Sequence, residues 1–167
     1  MTTFDFGKGR VPAHQHPTGG GWVADTTTVS ETAYVGPNAR VFDNAKVYAN
    51  AVVDDDAWVY GNVRVYGHAV VSGDAVVSVN AWVSGRAMVS GNAMVSGNAR
   101  VYGNAVAFGN AEVYGNAMVF EDAKVFGKAM VEGTAVVNGD AVVNGDAEVY
   151  GDAYDSGSIL LSENYKR

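Results

Sequence analysis

Few residues of this 167-residue chain have the chemistry of catalysis or metal binding, and their spacing limits what each could do. His14 and His16 lie two apart in a segment that reads as extended, which sets both rings on one side, with Lys8 and Arg10 close by. Such a pair could hold a metal or an anion, although hydrogen bonding within a terminal cap is the expected role. His68 occupies a turn slot that Asn or Asp fills elsewhere. Asp54, Asp55 and Asp56 stand together at a corner, with Asp74 eighteen residues beyond Asp56. Close carboxylates suit a hard cation such as calcium. Their spacing matches no calcium-binding repeat, so a solvated acidic corner is expected. There is no cysteine, hence no thiolate site and no disulfide. No serine, histidine and carboxylate are spaced as a nucleophilic triad, and the glycines are too periodic for a phosphate-cradling loop. No catalytic residue and no cofactor is assigned.

The elements that would position these groups follow from a period of six. Alanine stands at 33, 39, 45, 51 and 57 and then at every sixth position from 69 to 153, with Val63 the one interruption. Valine follows two residues later each time from Val29 to Val149, failing only at Ala107. Twenty-one hexads thus run from Thr27 to Asp152 without insertion, each reading like Ala99-Arg100-Val101-Tyr102-Gly103-Asn104. Alternation of period two turns Ala and Val to one side of a short strand and the residue between them to the other. Gly followed by Asn or Asp supplies a corner. Six residues leave no room for a crossover helix, and the apolar pattern does not fit a 3.6-residue period. An all-β, single-domain solenoid of short parallel strands is predicted.

If three hexads close one coil, residues eighteen apart stack. Asn44, Asn62, Asn80, Asn98 and Asn116 then form one column suited to a side-chain amide ladder, and Asp122 stacks on Asp140. Outward positions sort into three faces. One, with Tyr34, Val52, Val70, Met88, Val106, Lys124 and Val142, is nearly all apolar. A contiguous outward apolar column normally needs cover, so a homo-oligomer, a trimer with this column as its interface, is expected. The other two faces are mixed. One carries Thr28, Lys46, Arg64, Trp82, Arg100 and Met118; the other carries Arg40, Trp58, Val76, Met94, Glu112, Met130 and Glu148. Tyr and Phe recur just after the inward valine, from Phe42 to Phe126, while Ser fills that slot from Ser72 to Ser96. These aromatics either stack on one another, as in any sheet, or offer a carbohydrate or protein contact surface.

Residues 1–26 read as an N-terminal cap, 27–152 as the repeat, and 153–167 as a C-terminal cap and tail. Phe4, Phe6, Val11 and Trp22 supply the first cap with apolar groups, and Gly19-Gly20-Gly21 lets the chain turn sharply into the first coil. Ile159, Leu160 and Leu161 are expected to close the far end before a polar tail. Seven coils at ~4.8 Å give a rod roughly 34 Å long. A formal charge of −7 argues against a nucleic-acid partner. No apolar run approaches the ~20 residues of a membrane span, and the N-terminus does not read as a secretory signal. A soluble protein, in cytoplasm or virion, is the expectation.

Val35-Gly36-Pro37-Asn38-Ala39-Arg40 resembles the hexapeptide signature of left-handed β-helix proteins. The segment Phe6-Gly7-Lys8-Gly9-Arg10-Val11-Pro12-Ala13-His14-Gln15-His16, with Gly19 to Ala24, is similar to the heads of uncharacterised hexapeptide-repeat proteins of bacteria and their phages. The resemblance implies a three-sided left-handed coil. Left-handed β-helices include acyltransferases and γ-class carbonic anhydrases, which offers an alternative: a transferase or anhydrase with a site between subunits. The anhydrases hold zinc with three histidines at a trimer interface, and this chain has three histidines in all, two of them in the head. The acyltransferases carry a protruding loop that the unbroken hexads lack. The expected function is therefore a noncatalytic structural or binding rod, self-associating, in a phage or prophage setting.

Overall fold

The computed structural model describes residues 2–156, 160–161 and 165–166. The chain turns after each short strand, and strands three apart in sequence pair side by side in parallel. Three sheets of eleven, eight and eight strands result, and no helix occurs among the described residues. This is the all-β, three-sided solenoid of about seven coils that the period of six predicts. The register is eighteen throughout the repeat. Val52 sits opposite Val70, Val70 opposite Met88, and Arg64 opposite Trp82.

Alternation does the sorting. Every inward alanine from Ala33 to Ala153 and every inward valine from Val35 to Val149 is fully buried, Val63 and Ala107 included. Two inward side chains per side are all a six-residue side can present, so the interior holds only small residues stacked in columns. The backbone binds coil to coil. The Trp82 N–H donates to the Ala99 carbonyl at 2.9 Å and the Ser84 N–H to Val101 at 3.0 Å, and the same bonds repeat along the rod. At the corners Gly85 has φ +72°, and a Cβ there would lie 2.8 Å from the Gly103 carbonyl oxygen of the next coil. Glycine is thus demanded twice, by conformation and by the closeness of the coils.

The three faces emerge with the memberships given above. The eleven-stranded sheet carries Arg40, Trp58 and Val76 and also takes up the N-terminal segment; it is called here the hairpin face. The sheet with Lys46, Arg64, Trp82 and Arg100 is the basic face. The third, from Tyr34 through Met88 to Val142, is the apolar face.

Within residues 1–26, strand β1 (Thr3–Asp5) and strand β2 (Arg10–Gln15) form an antiparallel pair. Strand β3 (Trp22–Ala24) pairs antiparallel with β2 and parallel with Arg40–Val41. Parallel stacking therefore starts at Trp22, and the hairpin extends one sheet sideways, so that strand edge is paired rather than open. Gly19 and Gly20 both have positive φ, and the Gly21 N–H donates to the Val35 carbonyl at 2.9 Å, which is the sharp entry into the first coil. Of the apolar groups named for the cap, Phe6 is buried, Phe4 and Trp22 are partly buried, and Val11 is exposed.

At the far end stacking continues. Leu160–Leu161 pairs in parallel with Val142–Val143, and Tyr165–Lys166 with Val149–Tyr150; Ile159 lies outside the described residues. The register of the last pair is sixteen rather than eighteen. Asp155 occupies the slot beneath Val137, where every earlier coil has valine, and it is buried. A carboxyl in the inward column marks the end of the apolar interior.

Candidate functional site

The two histidines of the head differ in exposure and in partners. His14 is exposed, and its Nδ1 lies 2.7 Å from Asp25 Oδ1. His16 is buried, with Nδ1 at 3.1 Å from the Thr18 carbonyl and 3.3 Å from the Thr18 N–H, so that one tautomer donates and the other accepts. The contacts of Lys8 are elsewhere: its Nζ is 4.0 Å from Asp43 and 5.5 Å from the ring of Tyr60. The His68 backbone N–H joins the coil ladder through the Gly85 carbonyl at 2.7 Å.

The acidic corner is splayed. Asp54 packs its carboxylate over Gly36, filling the space a side chain would need there. Asp55 adopts φ 54° and accepts the Gly73 N–H at 3.0 Å. Asp56 turns toward a shallow recess shared with Arg40, Trp58 and Asp74. Among the described residues no three His, Asp or Glu side chains converge as a cation site would require.

A cleft of about 470 Å³ opens under the N-terminal hairpin, lined by Phe6, Lys8, Val11, Phe42, Asp43 and Asn62 among others. Its floor is aromatic. Phe6 stacks on Phe42 with centroids 4.9 Å apart, and Phe42 on Tyr60 at 4.9 Å. Burial of Phe42, an outward residue, follows from this packing. The cleft was not among the sequence expectations, because only the folding of β1 and β2 across a corner creates it. Alternating Phe4, Phe6 and the glycines Gly7 and Gly9 are the trace of that hairpin in the sequence.

On the basic face the guanidinium carbons of Arg64 and Arg100 lie 4.7 and 5.0 Å from the Trp82 ring centroid. The two arginines belong to the strands on either side of the one that carries Trp82, so the indole is sandwiched between cations. Tyr66, Trp82, Ser84, Arg100 and Tyr102 enclose a recess of about 180 Å³. Burial pushes the Tyr102 hydroxyl above its ordinary pKa, with Glu121 adding to the shift and the Arg100 charge opposing it.

Elsewhere the outward aromatics stack at the spacing of the coils, Tyr102 on Phe120 at 4.7 Å and Phe108 on Phe126 at 4.8 Å. On the apolar face Tyr34, Val52, Val70, Met88, Val106 and Val142 fall in register, interrupted by Lys124. Met88 is 42% exposed and the apolar side chains on either side of it are half-buried.

Residues 57–73, 63–79, 81–97, 87–103 and 93–109 each match the YdcK beta solenoid repeat. Every matched segment begins at an inward slot, in phase with the hexads. No curated protein and no solved structure matches the chain.

Proposed function

We propose that this β-solenoid repeat protein is a noncatalytic, self-associating rod, a trimer that buries its apolar faces around a common axis. The observation that carries this reading is the register of the apolar face. Six apolar side chains from Tyr34 to Val142 stand one above another with a single charge, Lys124, among them. Side chains on a free surface are under no pressure to exclude charge, whereas a contiguous apolar patch is costly in water until something covers it. Three prisms set face to face would place Val52, Val70, Met88 and Val106 at the centre. A phage or prophage setting accords with the likeness of the head to hexapeptide-repeat proteins found there.

Light scattering on the purified full chain tests the reading. The expected mass is that of three chains, and Val70→Asp should shift it to one, since an unpaired carboxylate buried at the seam costs several kcal/mol. Retention of the native β-rich circular dichroism in the variant separates dissociation from unfolding. A single-chain mass for the unaltered protein at high concentration would discard the trimer.

A further inference from the structure

The basic face is unlike the rest of the molecule in charge. Residues 44–50, 62–68, 80–86 and 98–104 make up this face and its flanking corners over four coils. They contain Lys46, Arg64, Arg86 and Arg100 and no Asp or Glu, in a chain whose formal charge is −7; the one acid of these corners, Asp43, stands just before the first span and is paired with Lys8 at 4.0 Å. A random scatter of charge on an acidic protein would bring carboxylates to these cations. Instead, no carboxylate among the described residues lies within ion-pair distance of Arg64 or Arg100.

Both guanidiniums are also held in place. Each guanidinium lies over the Trp82 ring from a neighbouring strand while its residue stays exposed, a contact that restricts the side chain. An arginine so ordered has already lost the side-chain freedom that binding would otherwise cost, and its fork matches a carboxylate in two parallel hydrogen bonds. Lys46 and Arg100 are three rungs apart, about 14 Å, on a straight line along the rod. The rung spacing is close to the advance per sugar in an extended glycan.

We propose that this face binds a linear, carboxylate-bearing polysaccharide laid along the rod, with uronate groups on the edges of Arg64 and Arg100 and one sugar ring seated in the recess between Tyr66 and Tyr102. Three observations favour this occupant over others with negative charge. Guanidinium groups lie over the Trp82 indole from both neighbouring strands, so a nucleic-acid base cannot stack on that ring. The backbone N–H groups of Arg64, Trp82 and Arg100 are spent in the coil ladder, which denies an acidic peptide the strand edge it would pair with. What remains outward is the pair of phenols of Tyr66 and Tyr102 beside fixed cations, with Ser84 buried between them; that combination suits a ligand rich in hydroxyls and carboxylates. The site does not depend on trimer formation, which uses a different face.

Calorimetric titration of the full chain with oligogalacturonate tests the proposal. Binding is expected to weaken as salt is raised. Arg64→Ala and Arg100→Ala should each weaken it by about tenfold or more, as expected for loss of a charge-assisted hydrogen bond, while Lys128→Ala, on another corner, should leave it unchanged. The methyl-esterified oligomer, which keeps the sugars and loses the carboxylates, should not bind. Thermal melts of the variants would show that the fold is kept. Failure of oligogalacturonate to bind overturns the proposal, as does equal binding of the methyl ester or an affinity unchanged from that of the unaltered protein in both arginine variants. Tighter binding of single-stranded oligodeoxythymidylate would replace the polysaccharide with nucleic acid. A changed mass in the Arg64→Ala/Arg100→Ala double variant would replace it with a second copy of this chain.

Discussion

At single residues the corner slot shows how far the repeat can bend its own rule. Glycine holds it in most hexads, yet Asp43, Ala49, Asp55, Val79 and Glu121 occupy it with φ between 54° and 66°. Val79 is the costliest of these, because a β-branched side chain suits the left-handed region least, and it is half exposed with little packing in return. Val79→Gly should therefore stabilise the protein by about 1 kcal/mol, read as a higher urea midpoint. Gly85→Ala should lower that midpoint by a comparable or larger amount, since its Cβ also meets the Gly103 carbonyl. Tyr114 offers a test by pH. Its hydroxyl is pushed up to about 12, first by a hydrogen bond to the Glu132 carboxylate, then by burial and the charges of Glu132, Glu112 and Glu148. The folded pKa is above the unfolded value of about 10, so this contribution to stability is complete below pH 10 and is lost as pH rises toward 12. Nuclear magnetic resonance of the Tyr114 ring should show late ionisation, and Glu132→Ala should move it back toward 10.

At the scale of elements, one strand of two residues carries almost nothing alone and everything by stacking. The amide ladder makes the point. Asn44, Asn62, Asn80 and Asn98 each donate Nδ2–H to the next member's Oδ1, the last reaching Asn116, at 3.0 to 3.3 Å. Asn98→Ala breaks two of these bonds at an exposed corner, and a loss of about 1 kcal/mol in a chemical denaturation curve is expected. Asn62→Ala should cost about the same, because the ladder repeats one contact. The hairpin is the other informative element. Strands β1 and β2 pair the open edge of β3 and drive Phe6 against Phe42. Deleting residues 2–18 should expose that edge, and light scattering should then show association growing with concentration.

For the whole molecule, charge is polarised along the rod. Seven basic residues face eight acidic ones up to Asn104, and four face ten beyond it. The basic face lies in the first of these parts, while Glu112, Glu132 and Glu148 gather around Tyr114 in the second. A uniform repeat thus carries two electrostatically distinct halves. Because each coil touches only its neighbours, the halves can differ without disturbing the fold. The three faces likewise differ in character: an apolar column, proposed as a seam, on one, phenols and cations on another, and the hairpin with its cleft on the third.

Periodicity alone determined the solenoid, the stacking of residues eighteen apart, the inward columns, the amide ladder and the membership of each face. Each is a consequence of strand alternation and turn chemistry repeated without a break, so no distant contact had to be known. The position of the hairpin, the cleft beneath it, the different partners of His14 and His16 and the splaying of Asp54, Asp55 and Asp56 belong to the tertiary structure. The Arg64–Trp82–Arg100 sandwich stands between the two. Its column was legible in the spacing, but which way the guanidiniums turn depends on side-chain packing across coils. That packing is non-local, and a pattern of residue types along the chain cannot encode it.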